Sequence, residues 1–122
     1  MTPSDPLDPR TLQNLVDLDD GGHGLLSEMI QIFREDTPDR LRDILAAAEA
    51  GDAYALSRAA HALKGGAGAL GATVLQTLAA DLEAEAEETL AAGTQDLAPK
   101  LEEAFARSLA ALEAHLDGLR RG

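Results

Sequence analysis

The sequence predicts an all-α protein, an antiparallel four-helix bundle with an additional short N-terminal helix. Three observations predict it. Apolar residues recur at steps of three and four along most of the chain, as they do on the buried face of a helix. Asp, Pro and Gly stand where such helices should start and stop. The hydrophobic fraction is 45%, yet Phe33, Tyr54 and Phe105 are the entire aromatic set. A core of Leu, Ala, Ile and Val suits helices that approach one another closely.

Each element follows from local signals. Asp8-Pro9 reads as an N-cap with proline at the first helical position. The first helix then covers about 9–18 with Leu12, Leu15, Val16 and Leu18, and Asp19-Asp20-Gly21-Gly22 breaks it. A second helix begins near residue 23 and carries Leu25, Leu26, Met29, Ile30, Ile32 and Phe33. Pro38 either kinks or splits it, with Thr37 as a possible new cap. It continues through Leu41, Ile44 and Leu45 to Gly51. Asp52 caps a third helix that runs to about Gly71, where glycine turns the chain. The fourth helix uses Val74, Leu75, Leu78, Leu82 and Leu90 and ends at Gly93. Asp96 caps the last, with Pro99 in its first turn. Its apolar series is Leu97, Leu101, Phe105, Leu109, Leu112, Leu116 and Leu119, and Arg120 and Arg121 close it at the negative end of the helix dipole. Four long helices joined by short turns form an antiparallel bundle, with the first short helix across one end. The 122 residues suit one domain. Residues 1–7 read as a flexible tail and 8–122 as the helical domain.

Composition excludes several functions. No cysteine is present, which removes disulfides and thiolate metal sites. A net charge of −12 argues against a nucleic-acid partner, which needs Lys and Arg to neutralise phosphates. No apolar run approaches the ~20 residues of a membrane span, and no signal peptide is visible. A soluble, cytoplasmic monomer is expected. His23 reads as a helix-start residue and His115 as solvated. No Glu-x-x-His pair of the di-iron bundle kind occurs, so no metal site is expected. The acidic run Glu83, Glu85, Glu87, Glu88 reads as a solvated face.

The distribution of charge says more than its sum. All 22 acidic residues lie outside residues 53–80, where Arg58 and Lys64 are the charged side chains. Within that window runs His61-Ala62-Leu63-Lys64-Gly65-Gly66-Ala67-Gly68-Ala69-Leu70-Gly71-Ala72. Leu56, Leu63 and Leu70 repeat every seven residues and mark the core direction. At about 100° per residue, His61 points roughly 140° away from it, Lys64 about 80°, Gly68 about 120° and Gly65 about 180°. An outward imidazole is a nucleophile at neutral pH, and a lysine one turn on can balance an incoming anion. Glycine costs a helix roughly 1 kcal/mol relative to alanine, so an alanine-rich helix that keeps it at 65, 66 and 68 gains bareness in exchange. The plainer alternatives are an idle exposed histidine, a solubilising lysine and loose packing at the glycines.

On these residues the chain resembles the histidine-containing phosphotransfer (HPt) family of multistep phosphorelays. The family pattern, His-x-Leu-Lys-Gly followed by small residues, an apolar residue and Gly, is met by His61, Leu63, Lys64, Gly65, Leu70 and Gly71. Phe33-Arg34-Glu35-Asp36-Thr37-Pro38-Asp39-Arg40-Leu41, then Leu45 and Gly51-Asp52, are similar to its second helix and turn. The family often has Ser at the two positions after the motif glycine, where this chain has Gly66 and Ala67. The resemblance implies that His61 accepts a phosphoryl group from a receiver-domain aspartate and yields it to another, with Lys64 balancing charge. It implies that Gly65 and Gly68 form a landing surface, with Arg58, Leu15 and Ile30 assisting the partner, while Gly71 makes a structural turn. It implies no cofactor bound by this chain, Mg²⁺ in the partner receiver, and receivers as partners, including that of a hybrid histidine kinase. No Gly-x-x-x-x-Gly-Lys-Ser/Thr loop is present, so no autonomous kinase activity is expected. A non-phosphorylated helical adaptor for a receiver or kinase is the alternative.

Overall fold

The computed structural model describes residues 6–19 and 23–121. Among them run six helices: α1 (Pro9–Leu18), α2 (Gly24–Ala50), α3 (Ala53–Ala69), α4 (Thr73–Ala84), α5 (Ala86–Ala92) and α6 (Leu97–Arg121). The bundle is made by α2, α3, α4 with α5, and α6; α3 packs chiefly on α4 and α2, and α2 also on α6. Its centre holds Leu26, Ile30, Ile44, Leu56, Leu63, Leu75, Leu101 and Leu112, each almost fully buried. Phe33 and Phe105 meet edge to face with centroids 5.3 Å apart, joining α2 to α6.

Asp8 and Asp52 cap their helices as the sequence predicts. The Asp8 carboxylate accepts the Arg10 N–H and the Thr11 hydroxyl, both at 3.0 Å. Asp52 accepts the Ala55 N–H at 3.0 Å. His23 is the N-cap residue of α2. Gly51 and Gly71 both take φ of +67°, the left-handed conformation that ends a helix at low cost only for glycine. At Gly71 a second constraint applies. A Cβ there would lie 2.9 Å from that of Thr11 and 3.1 Å from the Asp8 carbonyl oxygen.

Three expectations are corrected. Pro38 does not split α2, and Thr37 is buried in mid-helix rather than capping a new one. Phe33, Thr37, Leu41 and Ile44 form one buried stripe through the proline. Burying each large apolar side chain is worth about 2 kcal/mol, which together outweighs the roughly 3 kcal/mol of an interior proline. The predicted fourth helix is two, interrupted at Glu85. Finally, Pro6 and Leu7 are not loose. The Asp8 N–H donates to the Gly71 carbonyl at 2.7 Å, the Thr73 N–H to the Pro6 carbonyl at 2.9 Å, and Leu7 pairs with Ala72. The α3–α4 turn offers backbone groups that the chain entering α1 satisfies. The rest of the predicted tail, 1–5, and the break residues 20–22 lie outside the described residues.

Candidate functional site

The site stands on α3. Leu56, Ala60, Leu63, Ala67 and Leu70 face the core, and the opposite face carries His61 with its side chain 64% exposed. Arg58 and Gly65 are exposed on the same helix, and Lys64 is about one-third exposed. The heptad stripe therefore orients the imidazole outward, as the spacing predicts.

One expectation fails in an informative way. The stretch around His61 has no carboxylate, but the fold supplies one. Glu83, from the run read as a solvated face, is only 27% exposed and joins His61 and Lys64. Its Oε2 lies 2.8 Å from His61 Nδ1, and its Oε1 lies 2.5 Å from Lys64 Nζ. The cause is the hairpin of α3 and α4. Folding the chain about position 72 sets residues at equal distances from it side by side, and His61 and Glu83 each lie eleven residues away. The same symmetry pairs Gly68 with Gln76, four residues either side. Lys64 is thus not a free cation; its charge is balanced before any anion arrives. The hydrogen bond from Lys64, and then that from His61, hold the Glu83 carboxyl below the ordinary carboxylate range.

The hydrogen bond also distinguishes the two ring nitrogens. An ionised carboxylate only accepts, so a neutral His61 must carry its hydrogen on Nδ1. The Nε2 lone pair is then left unprotonated on a side chain that is 64% exposed, which is what a nucleophile requires.

The glycines divide. A Cβ at Gly65 would meet nothing within 4 Å, and one at Gly66 would approach only Arg40 Nε, at 3.8 Å. At Gly68 it would come within 2.8 Å of Gln76 Nε2. The space at Gly68 is filled by α4, not kept open for a partner. Of the apolar docking residues, Ile30 is corrected: it is 1% exposed and belongs to the core, whereas Ile32, two positions on, is 49% exposed. Leu15 is half-buried against the core. Gly71 is the turn residue expected. Glu83 is the site residue that sequence reasoning missed; symmetry about the predicted turn at Gly71 would pair His61 with Asp81, and only the packing of α4 on α3 shifts the partner to Glu83. Among the described residues no group of three or more His, Cys, Asp and Glu is placed to hold a metal, and no helix is long and apolar enough to cross a membrane.

Comparison with known proteins identifies the family and the fold. The family model for the Hpt domain matches residues 28–122. The crystal structure of histidine-containing phosphotransfer protein B (HptB) from Pseudomonas aeruginosa PAO1 is similar, with 32% identity, a TM-score of 0.68 and coverage of 98% of each chain. No curated protein matches. A helical bundle with an outward histidine in a His-x-Leu-Lys-Gly setting, matched by this family model over most of its length, belongs to the Hpt domain family.

Proposed function

We propose that this chain is a phosphorelay intermediate that shuttles a phosphoryl group between receiver-domain aspartates through His61. The observation that carries the reading is the exposed ring whose Nδ1 is engaged by Glu83, which leaves Nε2 as the available nucleophile. In the forward step Nε2 attacks the phosphorus of an aspartyl phosphate. The N–P bond forms, the P–O bond to the aspartate breaks, and the carboxylate leaves with the electron pair. The Nδ1 proton stays on the ring and continues to donate to Glu83. The reverse step returns the phosphoryl group to a second aspartate.

Lys64, held one carboxylate away from the imidazole, balances the added charge when the phosphoryl group arrives. Gly65 leaves the approach to His61 bare, and exposed Arg58 together with half-buried Leu15 contacts the incoming receiver. Mg²⁺ belongs to the receiver in this scheme, and this chain has no kinase activity of its own. It works as a cytoplasmic monomer.

The test is label transfer from a phosphorylated receiver. The wild-type chain should acquire acid-labile, base-stable phosphate, and His61→Gln should acquire none while keeping its helical spectrum. Transfer that persists in His61→Gln would place the acceptor elsewhere.

A further inference from the structure

Glu83 carries two contacts of the site, yet it stands near a helix end. α4 stops at Ala84 and the chain turns at Glu85. The last turn of a helix frays, so a side chain there is held less firmly than one in mid-helix. The backbone shows where the ladder is interrupted. It halts with the Glu85 N–H on the Asp81 carbonyl, at 2.8 Å, and resumes with the Thr89 N–H on the Glu85 carbonyl, also at 2.8 Å. The Glu83 carbonyl falls between these two bonds, and the Ser57 hydroxyl donates to it at 2.9 Å.

Ser57 lies on α3, one turn before His61. Ser57, His61 and Lys64 follow steps of four and three, so they share one stripe facing α4. A serine inside a helix commonly turns its hydroxyl back to its own i−4 carbonyl, as Ser108 does to Ala104 at 2.7 Å. Ser57 instead spends its donor on the neighbouring helix. The same residue of α4 is therefore held at two points: its backbone by Ser57, and its carboxylate by His61 and Lys64.

We propose that Ser57 is a positioning residue for His61 that acts through Glu83. Its hydroxyl fixes the interrupted end of α4, which keeps the carboxylate on Nδ1 and thereby keeps the Nε2 lone pair exposed. When that tie is absent, the end of α4 moves more freely and the carboxylate leaves Nδ1 for part of the time. The ring then reverts towards the form that free neutral histidine prefers, with its hydrogen on Nε2, and the outward nitrogen loses its lone pair. Only the kinetic consequence rests on the phosphotransfer reading; the consequence for the ring does not.

The experiment is ¹⁵N NMR of the His61 ring in the full chain at mildly alkaline pH, joined to label transfer from a phosphorylated receiver. Wild type should show a protonated Nδ1 and an unprotonated Nε2. In Ser57→Ala the ring shifts should move towards the Nε2–H form and transfer should slow about fivefold, the scale of one neutral hydrogen bond. Ser57→Thr, which keeps the hydroxyl, should restore both. Ser57→Cys, nearly the same shape but a feeble donor, should fall between, and it carries the test should the alanine variant lose helix. Wild-type ring shifts in both Ser57→Ala and Ser57→Cys overturn the proposal, whatever their transfer rates. Altered shifts in a chain whose wild type accepts no phosphoryl group would leave Ser57 in its role and remove the phosphotransfer reading instead.

Discussion

The two flanks of the exposed face of α3 differ sharply. On the α4 flank polar side chains are engaged: Glu83 holds His61 and Lys64, and Gln76 covers Gly68. On the α2 flank the surface is more apolar and more open. Met29, Ile32, Phe33 and Leu70 give a groove beside Gly66 a mainly apolar lining, which Asp36, Thr37 and Arg40 complete, and Gly65 faces empty space. The difference separates two tasks. In the proposed function, one flank would prepare the nucleophile, with hydrogen bonds that fix a tautomer and balance a charge. The other would leave room for the proposed receiver and offer it apolar contact. Equivalent-looking glycines on the same helix therefore have unrelated reasons to be glycine.

The strongest way to break this division is to fill the open flank. Gly65→Gln adds a good helix former where nothing stands within 4 Å. The helix should gain about 0.5 kcal/mol, while transfer from a phosphorylated receiver should fall by about tenfold or more, because the partner's backbone no longer fits. Stability and activity should thus move in opposite directions, read by thermal melts and by label transfer. Gly68→Ala is the matched control. The flexible end of Gln76 can give way, so transfer should stay close to wild type. Equal losses from the two variants would erase the distinction between the flanks.

The engaged flank is tested next by Lys64→Ala. Lys64 is partly solvated and already paired, so its loss should slow transfer by roughly fivefold without unfolding the chain. An unchanged rate would remove its part in balancing phosphoryl charge.

The outward crest of α3 was more legible in the sequence than the contacts made beside it. Heptad spacing of Leu56, Leu63 and Leu70 sets the outward direction of His61 and Gly65, since both depend only on helical geometry within α3. Caps at Asp8 and Asp52 and the turn at Gly71 were readable because their chemistry is local. Glu83 was not, since its place depends on how α4 lies against α3. Nor was the core position of Ile30 or the unbroken helix through Pro38, both of which packing between helices decides. The split at Glu85 has no Pro or Gly to announce it, as residues 84–86 read Ala-Glu-Ala.

The smallest expected effect concerns Glu83 itself, and it separates charge from shape on the engaged flank. Lys64 and His61 lower the folded-state pKa of Glu83 below its unfolded value. The folded protein therefore gives up this proton more readily than the unfolded chain does. The resulting stabilisation is complete above the ordinary carboxylate range and is lost as pH falls through the lowered folded value. Glu83→Gln keeps an oxygen that can accept from Nδ1 but removes the charge. The melting temperature of wild type should accordingly exceed that of Glu83→Gln by a small margin near about pH 7, and the margin should close towards about pH 3. Subtracting one melt from the other at each pH cancels the remaining carboxylates, which both proteins share. A margin that stays constant into acid would mean that the shape of Glu83, and not its charge, ties α4 to the histidine.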